Sequence, residues 1–498
     1  MLLPVFLFPA LFITFALSAP QSAHAGIESS IESVAAPVAD FMLKWVFYSV
    51  PLFGTQVKVV VMLLVGAGVF CTLYFRFINI RGFGRAIDLV AGRRDSAGDA
   101  PGEVSHFQAL ATACGATVGL GNIAGVAIAV SKGGPGATFW MIVAGLLGMS
   151  LKFCECTLGV KYRKENPDGS VSGGPMYYLS RGLGEMGLGG LGRVLSVMFA
   201  VFCIGGAIGA GGIFQANQSF KQIQGIAEAG GGQVSGALFG VALAVALGFV
   251  IIGGIKKIAT VTARVVPFMA IIYVLSAGAV IALQFDKLPE AFSLIVRGAF
   301  SPEGVEGGML GVMVWGFQRA TFSNEAGLGS APIAHSAVKT RHPATEGIVA
   351  LLEPFLDTVV ICTMTSLVIV LTGAYRIPEG MGGIEITSAA FASSLEWFPY
   401  LLALCALLFA FSTMISWSYY GLKSWTFLFG ETPRQKLAFN FIFCLFVAAG
   451  AAASLSSVIN ITDSMIFLMA AVNLTGVFLL APVVKRELRS YMNSRDGK

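Results

Sequence analysis

Thr112-Ala113-Cys114-Gly115-Ala116-Thr117-Val118-Gly119-Leu120-Gly121-Asn122-Ile123-Ala124-Gly125 sits inside a run otherwise apolar enough to cross a bilayer. Ala320-Thr321-Phe322-Ser323-Asn324-Glu325-Ala326-Gly327-Leu328-Gly329-Ser330-Ala331-Pro332 does the same much later in the chain. Each places Gly-Leu-Gly, then Asn or Ser, near mid-span. Glycine costs a helix ~1 kcal/mol relative to alanine, and Pro332 also removes a backbone donor. Backbone freed at membrane depth must find partners in protein or in a water-lined cavity, never in lipid. One such segment reads equally as small residues for close helix packing. Two in corresponding halves point to a transporter site built from discontinuous helices.

The rest of the chain supports a lipid solvent. Of 498 residues, 56% are apolar and only 12% charged, against ~25% charged in a soluble domain; the mean hydropathy is +0.79. A net charge of +5 is too small and too scattered for a nucleic-acid partner. All eight cysteines lie in apolar stretches, where a thiol is a small packing group.

Residues 2–18 with Ala23-His24-Ala25 resemble a signal peptide cleaved before Gly26, the alternative being an uncleaved first helix. Eleven segments then reach the length needed for ~30 Å of hydrocarbon: 56–76, 107–130, 137–160, 193–216, 234–254, 262–284, 308–336, 349–373, 399–425, 436–456 and 461–483. Arg76, Arg81, Arg85, Arg93, Arg94, Lys161, Arg163, Lys164, Arg181, Lys256, Lys257, Lys339, Arg341, Arg434, Lys436 and the tail Lys485, Arg486 and Arg489 fall on alternate loops. Positive charge collects inside, so the N-terminus is expected outside and the C-terminus in the cytoplasm. The broken segments are the second and the seventh. Their separation by five predicts two five-helix repeats, and an odd number inverts the second. The expected organisation is a signal-like segment over 1–25; an external segment, extra helix and loop over 26–100; repeats over 101–300 and 301–484; and a cytoplasmic tail over 485–498.

A half-helix N-terminus suits a carboxylate, and freed carbonyls suit a small hard cation. Thr117, Asn122, Ser323 and Asn324 around the breaks are neutral oxygen donors, which satisfy a cation without adding a buried charge. The span 399–425 carries Ser412-Thr413-Met414-Ile415-Ser416-Trp417, where Ser412 and Ser416 share a helical face; the alternative is hydroxyls bonded back to their own helix. Gln215 and Asn217 read as substrate contacts or as interhelical hydrogen bonds.

Ionisable groups at membrane depth are functional hypotheses by default. Glu325 reads as a gate or coupling group, or as an acceptor for freed N–H groups. Arg319, ~9 Å away along a helix, reaches it only if the helix unwinds. Glu353 and Asp357 share a face and read as structural, within reach of loop arginines. Lys152 and Glu155 read as an internal ion pair, and Asp463 as the cap of the last span.

The motifs ATVGLGNIAGVAIAV, SGGPMYYL, FSNEAGLGSAPIAH and FAFSTMISWSYYG resemble those of the alanine/glycine:cation symporter family, the sodium:alanine symporters, from about Phe41 to Val484. The resemblance implies an all-α polytopic protein of the bacterial inner membrane, of the leucine-transporter-like fold in the APC superfamily, with an inverted five-plus-five repeat. It implies uptake of alanine or glycine with Na⁺, or with H⁺ in some members. It places one sodium at the carbonyls of Gly115 and Val118 with Ser412 or Thr413. A second sodium, at Thr117 and Asn122, is replaceable by a proton or ion pair at Glu325. The substrate carboxylate would meet the backbone of Thr117, Val118, Gly119, Leu120 and Gly121, and the ammonium Phe322, Ser323 and Asn324. Thr413, Trp417 and Gln215 would close the pocket, with Trp417 limiting substrate size. Glu325 and Arg319 are the coupling or gate candidates.

An intramembrane enzyme would need a nucleophile–base set or metal ligands. His24, His106, His335 and His342 form no His-x-x-x-His pair, and no Gly-x-x-x-x-Gly-Lys loop offers a site for ATP. A passive channel shares the architecture but not the ion dependence.

Overall fold

The computed structural model describes residues 36–52, 55–93, 100–300, 308–376, 382–452 and 456–494. The signal-like segment 1–25, Gly26, His24 and Arg94 lie outside them. The chain is mostly helical. Its main helices are α1 (Val59–Tyr74), α2 (His106–Thr117), α3 (Val126–Gly133), α4 (Ala137–Lys161), α5 (Gly189–Gly206), α6 (Phe214–Ala229), α7 (Gly236–Ile251) and α8 (Gly254–Leu283). There follow α9 (Gly308–Asn324), α10 (Ala331–His335), α11 (Pro343–Val349), α12 (Thr363–Thr372), α13 (Phe398–Phe429), α14 (Pro433–Ala452) and α15 (Ser456–Asn493).

Among the described residues, six helical runs are long and apolar enough to cross a membrane: Ala137–Lys161, Gly189–Ala229, Gly254–Leu283, Pro343–Thr372, Phe398–Phe429 and Asn460–Asn493. A seventh candidate is bent by 52° between His106–Thr117 and Gly121–Gly133. α1 and α7 are shorter apolar helices. Phe249 on α7 and Leu275 on α8 are 70% and 67% exposed. Such large apolar faces turned outward belong in lipid rather than water.

Strand pairs interrupt the all-α expectation. Ser49–Leu52 pairs antiparallel with Thr55–Lys58, Ser49 opposite Lys58, so α1 starts at Val59 rather than at residue 56. Lys164–Glu165 pairs with Val171–Ser172, with Asn166 and Gly169 in the turn between them. Asp463 does not cap its helix: α15 begins at Ser456, upstream of it.

Both quoted stretches break. α2 starts with a capping box, Ser105 and Gln108 exchanging hydrogen bonds, and ends at Val118 (φ −75°, ψ 85°). The chain resumes as a wide π-helical turn over Gly121–Gly125 and runs into α3. α9 stops at Asn324 and is followed by left-handed backbone at Glu325 (φ 56°), Gly327 (φ 89°) and Gly329 (φ 81°). A side chain is strained in that region, so glycine is the fitting residue at two of these three positions. Pro332 then sits in the first turn of α10, where its missing N–H has no helical partner to lose. Two further π-helical turns, Ala207–Ile213 and Phe355–Cys362, face the same region.

Candidate functional site

The two breaks meet around a small cavity. Ala116, Thr117, Gly119, Gly121, Ala210, Gln215, Phe322, Glu325, Leu328, Thr413, Trp417 and Ile466 line it, around a volume of about 20 Å³. That is room for little more than one water molecule, so the lining side chains close on one another. The lining comes from both breaks, the π-turn of Ala207–Ile213, α6, α13 and α15. Of the residues singled out from sequence, Thr117, Gly119, Gly121, Gln215, Phe322, Glu325, Thr413 and Trp417 are brought together here. Leu120 lies just behind, its N–H donated to Gln215 Oε1 at 3.4 Å. Ala116, Ala210, Leu328 and Ile466 carried no chemical signal; only Leu328, inside its Gly-Leu-Gly, was marked by context.

Ser323 and Asn324 face away from the cavity lining. Ser323 Oγ donates to Asp357 Oδ2 at 2.9 Å, and Asn324 Nδ2 to Thr358 Oγ1 at 3.0 Å. Asn122 accepts from Gly119 N–H at 2.8 Å and donates to Asp357 Oδ1 at 2.6 Å. The fully buried Asp357 thus takes one donor from each break, with Thr358 Oγ1 at 2.7 Å as a third. Loop arginines do not supply its partners. Its role escaped the sequence because Asn122 and Asp357 are 235 residues apart.

Thr413 Oγ1 donates to the Gly115 carbonyl at 3.1 Å, and Ser416 Oγ to the Thr112 carbonyl at 2.7 Å. Ser412 instead bonds back to Phe409 O at 3.0 Å. Of the two adjacent hydroxyls, Thr413 reaches the first broken helix. This close approach needs Gly115, where a Cβ would stand 2.9 Å from Ser416 Oγ. Val118 ends α2 beside them. Backbone carbonyls and one hydroxyl make a neutral oxygen set of the kind a hard cation takes. Thr117 Oγ1 bonds back to Ala113 O at 3.3 Å.

Glu325 Oε1 accepts from Trp417 Nε1 at 2.9 Å, and Oε2 from Ser330. The freed amides of the second break go to a different carboxylate. Glu155 Oε2 takes Gly327 N–H at 3.1 Å and Oε1 takes Gly329 N–H at 2.9 Å, with Asn473 also donating to it. Lys152 does not pair with Glu155; its Nζ meets Glu353 Oε1 at 2.8 Å, both side chains fully buried. The expected Lys152–Glu155 pair fails because Glu155 is committed to the break. Arg319 stays apart from Glu325, since α9 remains helical between them. Its guanidinium lies 5.9 Å over the Trp315 ring and within electrostatic range of Asp463. Asn217 Nδ2 reaches Gly450 O at 3.4 Å, an interhelical bond.

Comparison with known proteins agrees with this geometry. The crystal structure of MhsT in complex with L-phenylalanine superposes with a TM-score of 0.52 at 14% identity, covering 80% of this chain and 99% of that one. The shared architecture is therefore that of a leucine-transporter-type fold. The sodium/alanine symporter AgcS of Methanococcus maripaludis is 39% identical over 88% of this chain and 94% of its own length. The probable sodium/glutamine symporter GlnT of Bacillus subtilis is 33% identical over 88% and 89%. These relatives are transporters, and with the apolar helices they mark a multi-pass membrane protein. The profile of the sodium:alanine symporter family matches residues 41–498. The chain belongs to the sodium:alanine symporter family.

Proposed function

We propose that the protein carries small neutral amino acids, alanine or glycine, into the cell together with Na⁺ by alternating access. One observation carries this reading: two helix breaks converge on a small, mostly neutral cavity, and Thr413 joins α13 to the first break at Gly115. The substrate carboxylate would take the Gly121 amide and displace Asn122 and Gln215 from the amides of Gly119 and Leu120, and the ammonium would lie toward Phe322 and Glu325. The sodium would sit at Gly115 O, Val118 O and Thr413 Oγ1, with Ser412 outside that set because its hydroxyl is bonded within its helix. A second cation near Thr117 and Asn122 would sit beside Asp357, with Ser323 on its far side. The two breaks would occupy matching places in an inverted five-plus-five repeat, with the N-terminus outside, the C-terminus in the cytoplasm and the signal-like segment removed. Arg319 and Asp463, each three residues from a lining residue (Phe322 and Ile466), would form the outer gate.

The decisive test is uptake of radiolabelled alanine and glycine into proteoliposomes under an imposed Na⁺ or H⁺ gradient. Uptake driven by Na⁺ alone supports the reading; uptake driven only by H⁺ favours the second reading, a proton symporter. That second reading has its own observation, a carboxylate, Glu325, in the cavity wall.

Thr413→Ala removes a cation ligand without touching the amides. The sodium concentration for half-maximal uptake is expected to rise about tenfold or more, as for a lost hydrogen-bonding partner of ~1–3 kcal/mol. Alanine affinity at saturating sodium should change much less; equal losses in both would remove Thr413 from the cation site.

Trp417 presses on the glycine wall, with a Cβ at Gly211 having no room against it. The relatives' names include both alanine and glutamine, so side-chain size is a variable of this site. Trp417→Ala is expected to admit larger neutral amino acids and to weaken alanine about tenfold, ~1.4 kcal/mol. Competition of labelled alanine uptake by leucine and glutamine reads this out, and an unchanged range excludes Trp417 as the size limit.

A further inference from the structure

Away from the cavity, a second group of buried ionisable side chains joins both broken helices at one end. His106 is the first residue of α2 and His335 the last of α10, so each belongs to one half of a broken helix. Both reach the same carboxylate. Glu346 Oε2 meets His106 Nδ1, and Glu346 Oε1 meets His335 Nδ1 at 2.5 Å. The other His335 nitrogen, Nε2, faces Glu353 Oε2 at 3.6 Å, and Glu353 Oε1 holds Lys152 Nζ. His335, Glu346, Glu353 and Lys152 are fully buried. Among the described residues, neither His335 Nε2 nor Glu353 Oε2 has a hydrogen-bond partner.

A neutral imidazole carries one N–H and one lone pair, whereas the imidazolium donates from both nitrogens. His335 has a carboxylate oxygen at each nitrogen and no donor to offer a lone pair. Neutral, it leaves one carboxylate facing a lone pair. Protonated, it completes a chain of alternating sign from Lys152 through Glu353 and His335 to Glu346. A buried carboxylate oxygen that faces a lone pair with no donor between them is unfavourable, so the proton belongs to the closed arrangement.

We propose that His335 is a proton-binding site whose proton fastens α10 to Glu346 and Glu353, beside the contact of His106 on α2 with the same Glu346, and holds this end of the molecule shut. The inference rests on the transporter reading for the meaning of that end, which the loop charges assign to the cytoplasm. The other charged groups around His335 are committed elsewhere. On α4, Glu155 serves Gly327 and Gly329, Lys152 serves Glu353, and Cys156 is a buried thiol. Arg163, after α4, donates to Ser336 O at 2.9 Å and Val338 O at 2.6 Å. Tyr420 on α13 is a buried phenol whose hydroxyl finds no partner among the described residues, and Cys114 on α2 is a buried thiol. His106 on α2, at the other oxygen of Glu346, is the second imidazole of the group. A proton held more tightly in the closed state than in the open one favours closure at low pH and releases it as pH rises.

Hydrogen–deuterium exchange of the full chain in detergent, corrected for intrinsic exchange, tests this between pH 6 and pH 9. Protection of 106–117 and 331–349 should fall with pH, by up to about tenfold per unit, the limit for one proton. The interior of α13 should not follow. His335→Gln should flatten the profile, and His106→Gln should keep its slope. A wild type without pH dependence overturns the proposal, even if His335→Gln fails to fold. A slope kept in His335→Gln but lost in His106→Gln also overturns it, moving the proton to His106. The measurement needs neither substrate nor sodium, so its failure leaves sodium-driven uptake standing, and failed uptake leaves the exchange result standing.

Discussion

Lys152→Met is expected to destabilise the protein by about 3–5 kcal/mol, the cost of removing one partner from a buried ion pair. Lys152 Nζ lies 2.8 Å from Glu353 Oε1, and both side chains are inaccessible to water. Methionine keeps the length of the aliphatic stem and removes the charge, leaving Glu353 with His335 alone, at 3.6 Å. The loss is therefore that of an orphaned carboxylate more than of a contact. Lys152→Met combined with Glu353→Gln removes both charges, and recovery of much of the stability is expected, since neighbouring groups couple non-additively. Thermal melting in detergent, followed through tryptophan fluorescence, measures both. A single variant melting with the wild type would show that Glu353 draws its compensation from elsewhere.

That pair also shows where sequence reading runs out. The breaks were legible because their cause is local: glycine, proline and polar residues in an apolar run disfavour helix wherever the run ends up. The cavity followed, since two breaks in apolar runs must be covered by protein, and the lining from Thr117, Gly119, Gly121, Phe322, Thr413 and Trp417 was within reach. What could not be read was the choice of partner among buried charges. Lys152 and Glu155 stand three residues apart on one helix and look complementary. The backbone amides of Gly327 and Gly329, 172 and 174 residues from Glu155, claim its carboxylate instead. Asp357 bridges both breaks through Asn122 and Ser323, a role visible only once the π-turn of Phe355–Cys362 is placed beside them. Ser412 and Thr413 were indistinguishable in sequence; the rotation of α13 separates them, turning Thr413 to Gly115 and Ser412 to its own helix. The short strand pair before α1 was missed because Thr-Gln-Val-Lys is continuous with an apolar helix and its pairing partner is itself a poor strand former around Pro51.

Gly119→Ala is expected to abolish transport while leaving the fold intact. Gly119 is not among the glycines with left-handed backbone, so alanine is locally allowed and the conflict is tertiary. Its Cβ would stand 2.6 Å from Thr413 Oγ1 and 3.5 Å from Gln215 Oε1. Thr413 is β-branched with few rotamers to escape into, and its hydroxyl is tied to Gly115 O. Relief must come from shifting the first break or turning Thr413 away, and either displaces the amides and the hydroxyl together. Uptake and sodium dependence should each fall by more than about a hundredfold, or ~2.7 kcal/mol, with melting close to wild type. Gly125→Ala, where a Cβ meets nothing within 4 Å, is the matched control and should transport normally. Adding Thr413→Ala to Gly119→Ala removes the clash but not the missing ligand, so the double variant should resemble Thr413→Ala alone rather than the sum. Transport by Gly119→Ala within a few-fold of wild type would mean that Thr413 and the first break do not act as one site, and the placement of the cation between them would fall with it.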